Sequence, residues 1–268
     1  MSSVTFPDST FKNIIELRGI GQSYDGGANW IIKDLDFLVE DKPDQGQFVV
    51  ILGMSGSGKS TILRYIAGLQ QPSEGKVLVN GEPVNPDKHI SMVFQQYSSL
   101  PWMTVLDNVA LALQYQGLNK KDRYEKAMEM IKLVGLEGHE KKYAMYPTLS
   151  GGQLQRIAIA RSLLSNSQIL LMDEPFGALD IKTRIQMQEL LLSLWEKFHS
   201  TIIFVTHDIA EAVYLADDIY ILKYSPSNFV EHIKVNLPLH RTRETKREAQ
   251  YTDLVHHVED VMLKISNM

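Results

Sequence analysis

The chain has no cysteine among its 268 residues, and that absence removes disulfide scaffolds, thiolate zinc sites and cysteine nucleophiles together. Such a sequence suits a reducing compartment. No stretch approaches the roughly 18 consecutive apolar residues that a spanning helix needs. The start, MSSVTFPDSTFK, offers no cationic end followed by an apolar core. A membrane role is therefore expected to come through partners. A basic excess is missing too: 27 Lys and Arg stand against 32 Asp and Glu, a net charge of -5, which argues against a surface built to coat nucleic acid. Internal repeats and low-complexity tracts are also lacking, which excludes solenoids and long disordered tails.

What is present is ordinary globular material, 44% hydrophobic and 22% charged, enough for one large core or two modest ones. Short apolar runs alternate with helical patterns, as in a largely parallel sheet covered by helices. The runs FVVIL, KVLVNG, ISMVFQ, QILLMD, TIIFVT and DIYILK read as strands. TILRYIAGLQ, RIAIARSLL, IKTRIQMQELLLSLWEKFH and AEAVYLAD read as helices. Between residues 97 and 149 the strands stop, and MTVLDNVALALQYQG and KDRYEKAMEMIKLVGL supply helices alone, which predicts an inserted helical subdomain. EDKPDQGQ at 40 to 47 reads as a solvated turn. The last helix, with Leu254, Val255, Val258, Met262 and Ile265 at helical spacing, is expected to lay a stripe on its own domain.

The chemistry begins at Gly53-Met54-Ser55-Gly56-Ser57-Gly58-Lys59-Ser60-Thr61, which follows a buried-strand run and precedes a helical pattern. Residues 53 to 60 match G-x-x-x-x-G-K-[ST] in its required context. Glycines let the backbone curl so that its N–H groups point inward, and the following helix adds its own unpaired donors and positive dipole end. The turn is a phosphate cradle. Lys59 is placed to reach the outer phosphates and Ser60 to ligate Mg²⁺, a cation that prefers oxygen.

ILLMDEP at 169 to 175 ends a buried run in two carboxylates. Asp173 suits a contact to Mg²⁺ and Glu174 a general base aimed at the attacking water. His207, in TIIFVTHD at the end of another strand run, is placed to contact the terminal phosphate. A second glycine turn, Leu149-Ser150-Gly151-Gly152-Gln153, opens the helix LQRIAIARSLL and makes a second phosphate-binding helix end.

That second turn resembles the signature of ATP-binding cassette ATPases, and the resemblance covers residues 12 to 224. It implies an α/β fold: a P-loop NTPase core of mostly parallel sheet, with an antiparallel β part near the N-terminus and the inserted helical subdomain. The core is expected over 12–96 and 150–224, the helical subdomain over 97–149 and a C-terminal extension over 225–268. It further implies that Tyr24 stacks on adenine and that Gln95, with Gln96 the alternative, senses Mg²⁺. The loop Ala178-Leu179-Asp180 is implied to line a dimer seam, and His207 to act as a switch. ATP would then lie between Lys59 of one chain and the Ser150 turn of its partner.

Within the superfamily, DEPFGALD, LPWMTVLDNVALAL and FVTHDIAEAVYLAD resemble import ATPases of the nitrate, sulfonate and taurine group. VNLPLHRTRETKRE stands where that group carries a turn and basic stretch, while LLSNSQILL lacks the proline common before the second acidic strand. The resemblance implies an ATP-hydrolysing subunit, peripheral on the cytoplasmic face of a membrane, working as a homodimer with permease subunits and a solute-binding protein. Nucleic acid is not an expected partner. A soluble cassette acting on nucleic acid or ribosomes would bring a second cassette, a coiled coil or a basic arm. A degenerate cassette would lack some of Lys59, Gly151, Asp173, Glu174 and His207. Tyr97, Leu100, Pro101 and Trp102, just after Gln95, form an apolar cluster that reads either as a permease-docking surface or as subdomain core.

Overall fold

In the computed structural model, residues 12–42, 46–85, 87, 90–165, 167–224 and 226–266 are described. Most of the N-terminal stretch MSSVTFPDSTFK, the middle of the 40–47 turn and Asn166 of LLSNSQILL lie outside them. Among the described residues the chain forms two units, one made of residues up to Ile90 with those from Leu194, the other Ser91–Ser193.

The first unit opens with two long strands, β1 (Asn13–Ser23) and β2 (Trp30–Glu40), paired antiparallel. After β3 (Phe48–Gly53) and helix α1 (Lys59–Ile66), β4 (Glu74–Val79) and β5 (Glu82–Pro83) complete an antiparallel sheet in the order β2-β1-β4-β5. This is the antiparallel β part near the N-terminus that the family resemblance implies. All six residues of β3 are buried, as an unbroken apolar run requires when helices or sheets cover both faces. At about 1.5–3 kcal/mol per fully buried aliphatic side chain, this strand anchors the unit.

The second unit starts with β6 (Ser91–Val93), then α2 (Val105–Tyr115), α3 (Lys120–Leu133), α4 (Gly151–Leu164), β7 (Ile169–Asp173) and the long α5 (Ile181–Phe198), whose last turns belong to the first unit. β6 and β7 pair in parallel. Val109, Leu113, Ala127, Ile131, Leu154, Ile157 and Ala158 are buried among these helices. Both α2 and α3 start at polar caps, Thr104 accepting from Asp107 N–H and Asn119 from Asp122 N–H.

The chain closes the first unit with β8 (Thr201–Thr206), α6 (Ile209–Leu215), β9 (Asp218–Leu222), β10 (Phe229–Lys234) and α7 (Ala249–Ser266). β3 lies between β8 and β9, parallel to both, and β10 pairs antiparallel with β9. Phe37, Tyr220 and Phe229 form an aromatic cluster, with Phe37 edge-on to Tyr220 at 4.9 Å, and the Tyr220 hydroxyl donates to Leu38 O at 3.1 Å. These contacts join β2 to β9 and β10. On α7, Val258 is fully buried, Leu254, Val255, Met262 and Ile265 are half-buried, and Tyr251 donates to Ala210 O at 3.0 Å. The stripe lies on its own unit through α6. No described helix is long and apolar enough to cross a membrane.

Candidate functional site

The phosphate loop joins β3 to α1 in the first unit. Gly56 and Gly58 stand at φ +80° and +86°, a region that costs a residue with a Cβ about 1–2 kcal/mol. A Cβ on Gly53 would lie 2.8 Å from Ser57 Oγ and 2.9 Å from Leu222 O. The lysine folds over its own loop: Lys59 Nζ donates to Gly53 O and Met54 O, both at 2.9 Å, and the residue is 4% exposed. Ser57 Oγ is buried with no hydrogen-bond partner. A buried orphan hydroxyl beside a curled, glycine-dependent backbone fits an oxyanion. Met54 and Ser55 are exposed, and Ser60 and Thr61 half-buried in the first turn of α1.

Two other candidates belong to this unit. Tyr24 is 70% exposed between β1 and β2, and its hydroxyl accepts from Gln70 Nε2 at 3.2 Å. At that exposure most of the residue faces solvent. The turn that follows is tight: Asp25 accepts from the backbone and side-chain N–H groups of Asn29 and from Ser23 Oγ, which holds its carboxyl down at about 2. His207 is exposed just past β8. Asp208 after it caps α6, accepting from Glu211 N–H at 2.9 Å, and Thr206 before it donates to Glu211 Oε2 at 2.7 Å. The histidine therefore sits on a rigid corner.

The second unit holds the carboxylates. Asp173 ends β7, and both it and Glu174 are half-buried. Glu174 has φ +43°, a left-handed conformation rare for a residue with a long side chain. Such strain persists where the surrounding structure fixes the backbone, commonly at working sites. Gln95 is exposed after β6. A Cβ added to Gly177 would lie 3.5 Å from Gln95 Nε2 and 3.9 Å from Glu174 Oε2, so amide and carboxylate border the same glycine. Among the described residues no three His, Cys, Asp or Glu side chains gather to hold a metal. The oxygen donors of this unit, an amide and a carboxylate, are of the kind Mg²⁺ takes beside phosphate oxygens and water.

The glycine turn at 150 to 153 opens α4 with a full capping box. Ser150 Oγ accepts from Gln153 N–H at 3.3 Å, and Gln153 Oε1 accepts from Ser150 N–H at 2.9 Å. Gln153 Nε2 also meets His139 Nε2 at 3.4 Å. Gly151 faces the Tyr97 hydroxyl and Gly152 the γ-methyl of Thr183 so closely that a Cβ at either would force the facing side chain to shift. Asp180 caps α5, accepting from Thr183 N–H at 3.0 Å and Thr183 Oγ1 at 2.6 Å, and these bonds hold its carboxyl below the usual range. The Asp180 loop thus orders the residue that covers Gly152.

The apolar cluster after Gln95 is on the surface. Trp102 is 71% exposed and Tyr97 36%, so the reading of Trp102 as subdomain core is wrong. The chain turns outward because Asn108 holds it there. Fully buried, Asn108 accepts from Leu100 N–H at 2.8 Å and donates to Leu100 O, Met103 O and Thr104 O at 3.0–3.2 Å. Ala144 N–H donates to Met103 O and Ser99 Oγ to Ala144 O, both at 3.0 Å. This brings exposed Tyr143, Met145 and Tyr146 beside the tryptophan loop. Sequence reasoning passed over Asn108 and Thr183; the only signal of Asn108 was a lone Asn within the apolar run VLDNVAL.

The model of the ABC transporter family matches residues 39–177. The chain is 41% identical over 246 residues to the nitrate import ATP-binding protein of Synechocystis, covering 88% of this chain and 90% of the relative. It is 42% identical over 224 residues to the taurine import ATP-binding protein of Pseudomonas syringae pv. tomato, covering 83% and 84%. Among solved structures, the dimeric post-hydrolysis state of an ATP-binding cassette bound to ADP and Pi superposes with a TM-score of 0.69 at 32% identity, over 83% of this chain and 99% of that one.

Proposed function

Because the chain belongs to the ABC transporter ATP-binding family, whose ATPase activity is coupled to transport, we propose that it powers import of a small anion through a permease partner. The chemistry of nitrate, taurine or a related sulfonate fits the relatives. The observation that carries this reading is the pairing in one chain of the loop Gly53–Ser60 with the capped glycine turn Ser150–Gln153. One turn alone suits any P-loop NTPase. Two suit a dimer in which each chain completes the other's site.

In this reading Lys59 leaves its two loop carbonyls for the outer phosphates, and the glycine-loop N–H groups hold them. Ser60, with Gln95 and Asp173 in support, would hold Mg²⁺, which would supply positive charge to the outer phosphates. Glu174 takes the proton of the attacking water, and His207 donates to the terminal phosphate. Tyr24 stacks on the adenine. Ser150, Gly151, Gly152 and Gln153 close on the nucleotide held by the partner chain, with Asp180 at the seam. The exposed surface around Trp102 and Tyr146 receives a short permease helix. A solute-binding protein would deliver the anion, and the chain would work on the inner face of the membrane.

The test is uptake. Vesicles carrying the complex of this chain with its permease and binding protein are expected to take up labelled nitrate or taurine only with ATP and Mg²⁺. An ATPase stimulated by RNA, with no anion uptake, would overturn the reading in favour of a soluble cassette.

A further inference from the structure

Two residues beyond Gln95, the Tyr97 hydroxyl lies against Gly151, where any side chain on the first signature glycine would have to go, with ring carbon Cζ next to it. Helical Cα–Cβ bonds tilt toward the helix N-terminus, so a group in that position bears on the first turn of α4. Gly151 needs no left-handed freedom: its φ is not among the positive ones. Close approach favours a glycine here for as long as Tyr97 keeps its place, since a Cβ would displace the phenol.

A second tether fixes the same segment lower on the same helix. Arg161, half-buried and ten residues along α4 from Gly151, donates through Nη2 to Ser98 O at 2.8 Å and to Ser98 Oγ at 2.9 Å. Ten helical residues span about 15 Å. Adjacent residues Tyr97 and Ser98 thus grip α4 at two well-separated points, which fixes the tilt of the helix relative to the segment as well as its position. By contrast, the neighbouring loop 99–104 is held by Asn108 of α2.

We propose that Tyr97 is a positioning residue that sets the signature turn, Ser150 to Gln153, in register with the segment carrying Gln95. This rests on the reading that the turn closes on nucleotide held by a second copy of the chain. The tyrosine itself touches no reacting atom. It acts through Gly151: with the phenol in place, a change at Gln95 reaches the first turn of α4 through a stiff ring, and without it the turn loses its reference. Thr183 packs the next residue, Gly152, from the start of α5, so Tyr97 is the contact that refers the turn to the Gln95 segment.

The experiment uses the Glu174→Gln chain, in which hydrolysis is slow, and compares it with Tyr97→Ala and Tyr97→Phe added to it. Three readouts are taken: size by light scattering with ATP and Mg²⁺, binding of a fluorescent ATP analogue, and melting temperature. Tyr97→Ala is expected to need at least about tenfold more protein to form the ATP-bound dimer, with nucleotide affinity and melting temperature unchanged. Tyr97→Phe, which keeps the ring edge over Gly151, is expected to restore assembly. Normal dimer formation by Tyr97→Ala overturns the proposal, as does a loss of dimer accompanied by a large fall in melting temperature. If the Glu174→Gln parent itself stays monomeric with ATP while binding nucleotide, the two-copy reading falls and the proposal falls with it.

Discussion

The γ-methyl of Thr183 stands 2.5 Å from where a Cβ on Gly152 would sit, and the same threonine is pinned by two hydrogen bonds to Asp180. The second signature glycine is thus fixed by packing from the start of α5. Gly152→Ala is expected to cost about 1–3 kcal/mol through overpacking, read as a fall in the urea midpoint. Thr183→Ser removes the methyl and keeps the cap, so added to Gly152→Ala it is expected to recover part of the loss, a coupling of at least about 0.5 kcal/mol. Additive effects would show that the two residues do not meet.

Glu174 joins strain to chemistry. Replacement by Gln is expected to leave ATP binding intact and slow hydrolysis by about a hundredfold or more. Replacement by Gly removes the cost of the left-handed backbone, about 1 kcal/mol, against a similar entropic penalty for glycine in the unfolded chain. Glu174→Gly is therefore expected to melt at the wild-type temperature or above while hydrolysing no ATP. Calorimetry and phosphate release separate the two effects, and a clear drop in melting temperature would refute the strain argument.

Much of this was legible. β3, β8 and β9 carry contiguous apolar runs of four or five residues, a signal that survives without neighbours. α5 was readable because its period holds over 18 residues. β1 escaped such a reading because its pairing with β2 shifts register between Leu17 and Ile20, and Gly19 at φ +57° breaks the alternation there. β10 is a six-residue strand with only Phe229 and Ile233 buried. In the site, the loop around Lys59 could be read from local spacing alone. The left-handed Glu174 and the contacts Tyr97–Gly151 and Thr183–Gly152 join residues whose sequence spacing carries no pattern.

Asn108 supports the exposed surface from beneath. Asn108→Ala takes the acceptor from Leu100 N–H and the side-chain donor from three carbonyls that keep their backbone donors, and is expected to cost about 1–3 kcal/mol. Trp102→Ser, at an exposed position, is expected to keep both melting temperature and basal ATPase while losing assembly with the permease. Pull-down of the permease with each variant checks this, and normal assembly of Trp102→Ser would remove the docking assignment.

Acid should loosen the second unit through Asp107. Burial pushes its carboxyl up, but hydrogen bonds from Thr104 and Tyr124 outweigh that and leave it below the usual value. A lowered folded value stabilises the protein above the unfolded value of about 3.9, and the contribution is lost as pH falls through the folded one. Asp107→Asn is expected to lower stability at neutral pH, with the gap to wild type closing below about pH 4. Urea midpoints against pH measure it, and a gap independent of pH would count against the assignment.

Phosphate release from ATP and Mg²⁺ by the purified chain, wild type beside Lys59→Ala, tests the central claim most directly. Charged hydrogen bonds to phosphate are worth about 1.5–3 kcal/mol each, so the variant is expected to bind nucleotide at least about tenfold more weakly and to release no phosphate above background. Equal release by the two proteins would contradict the account.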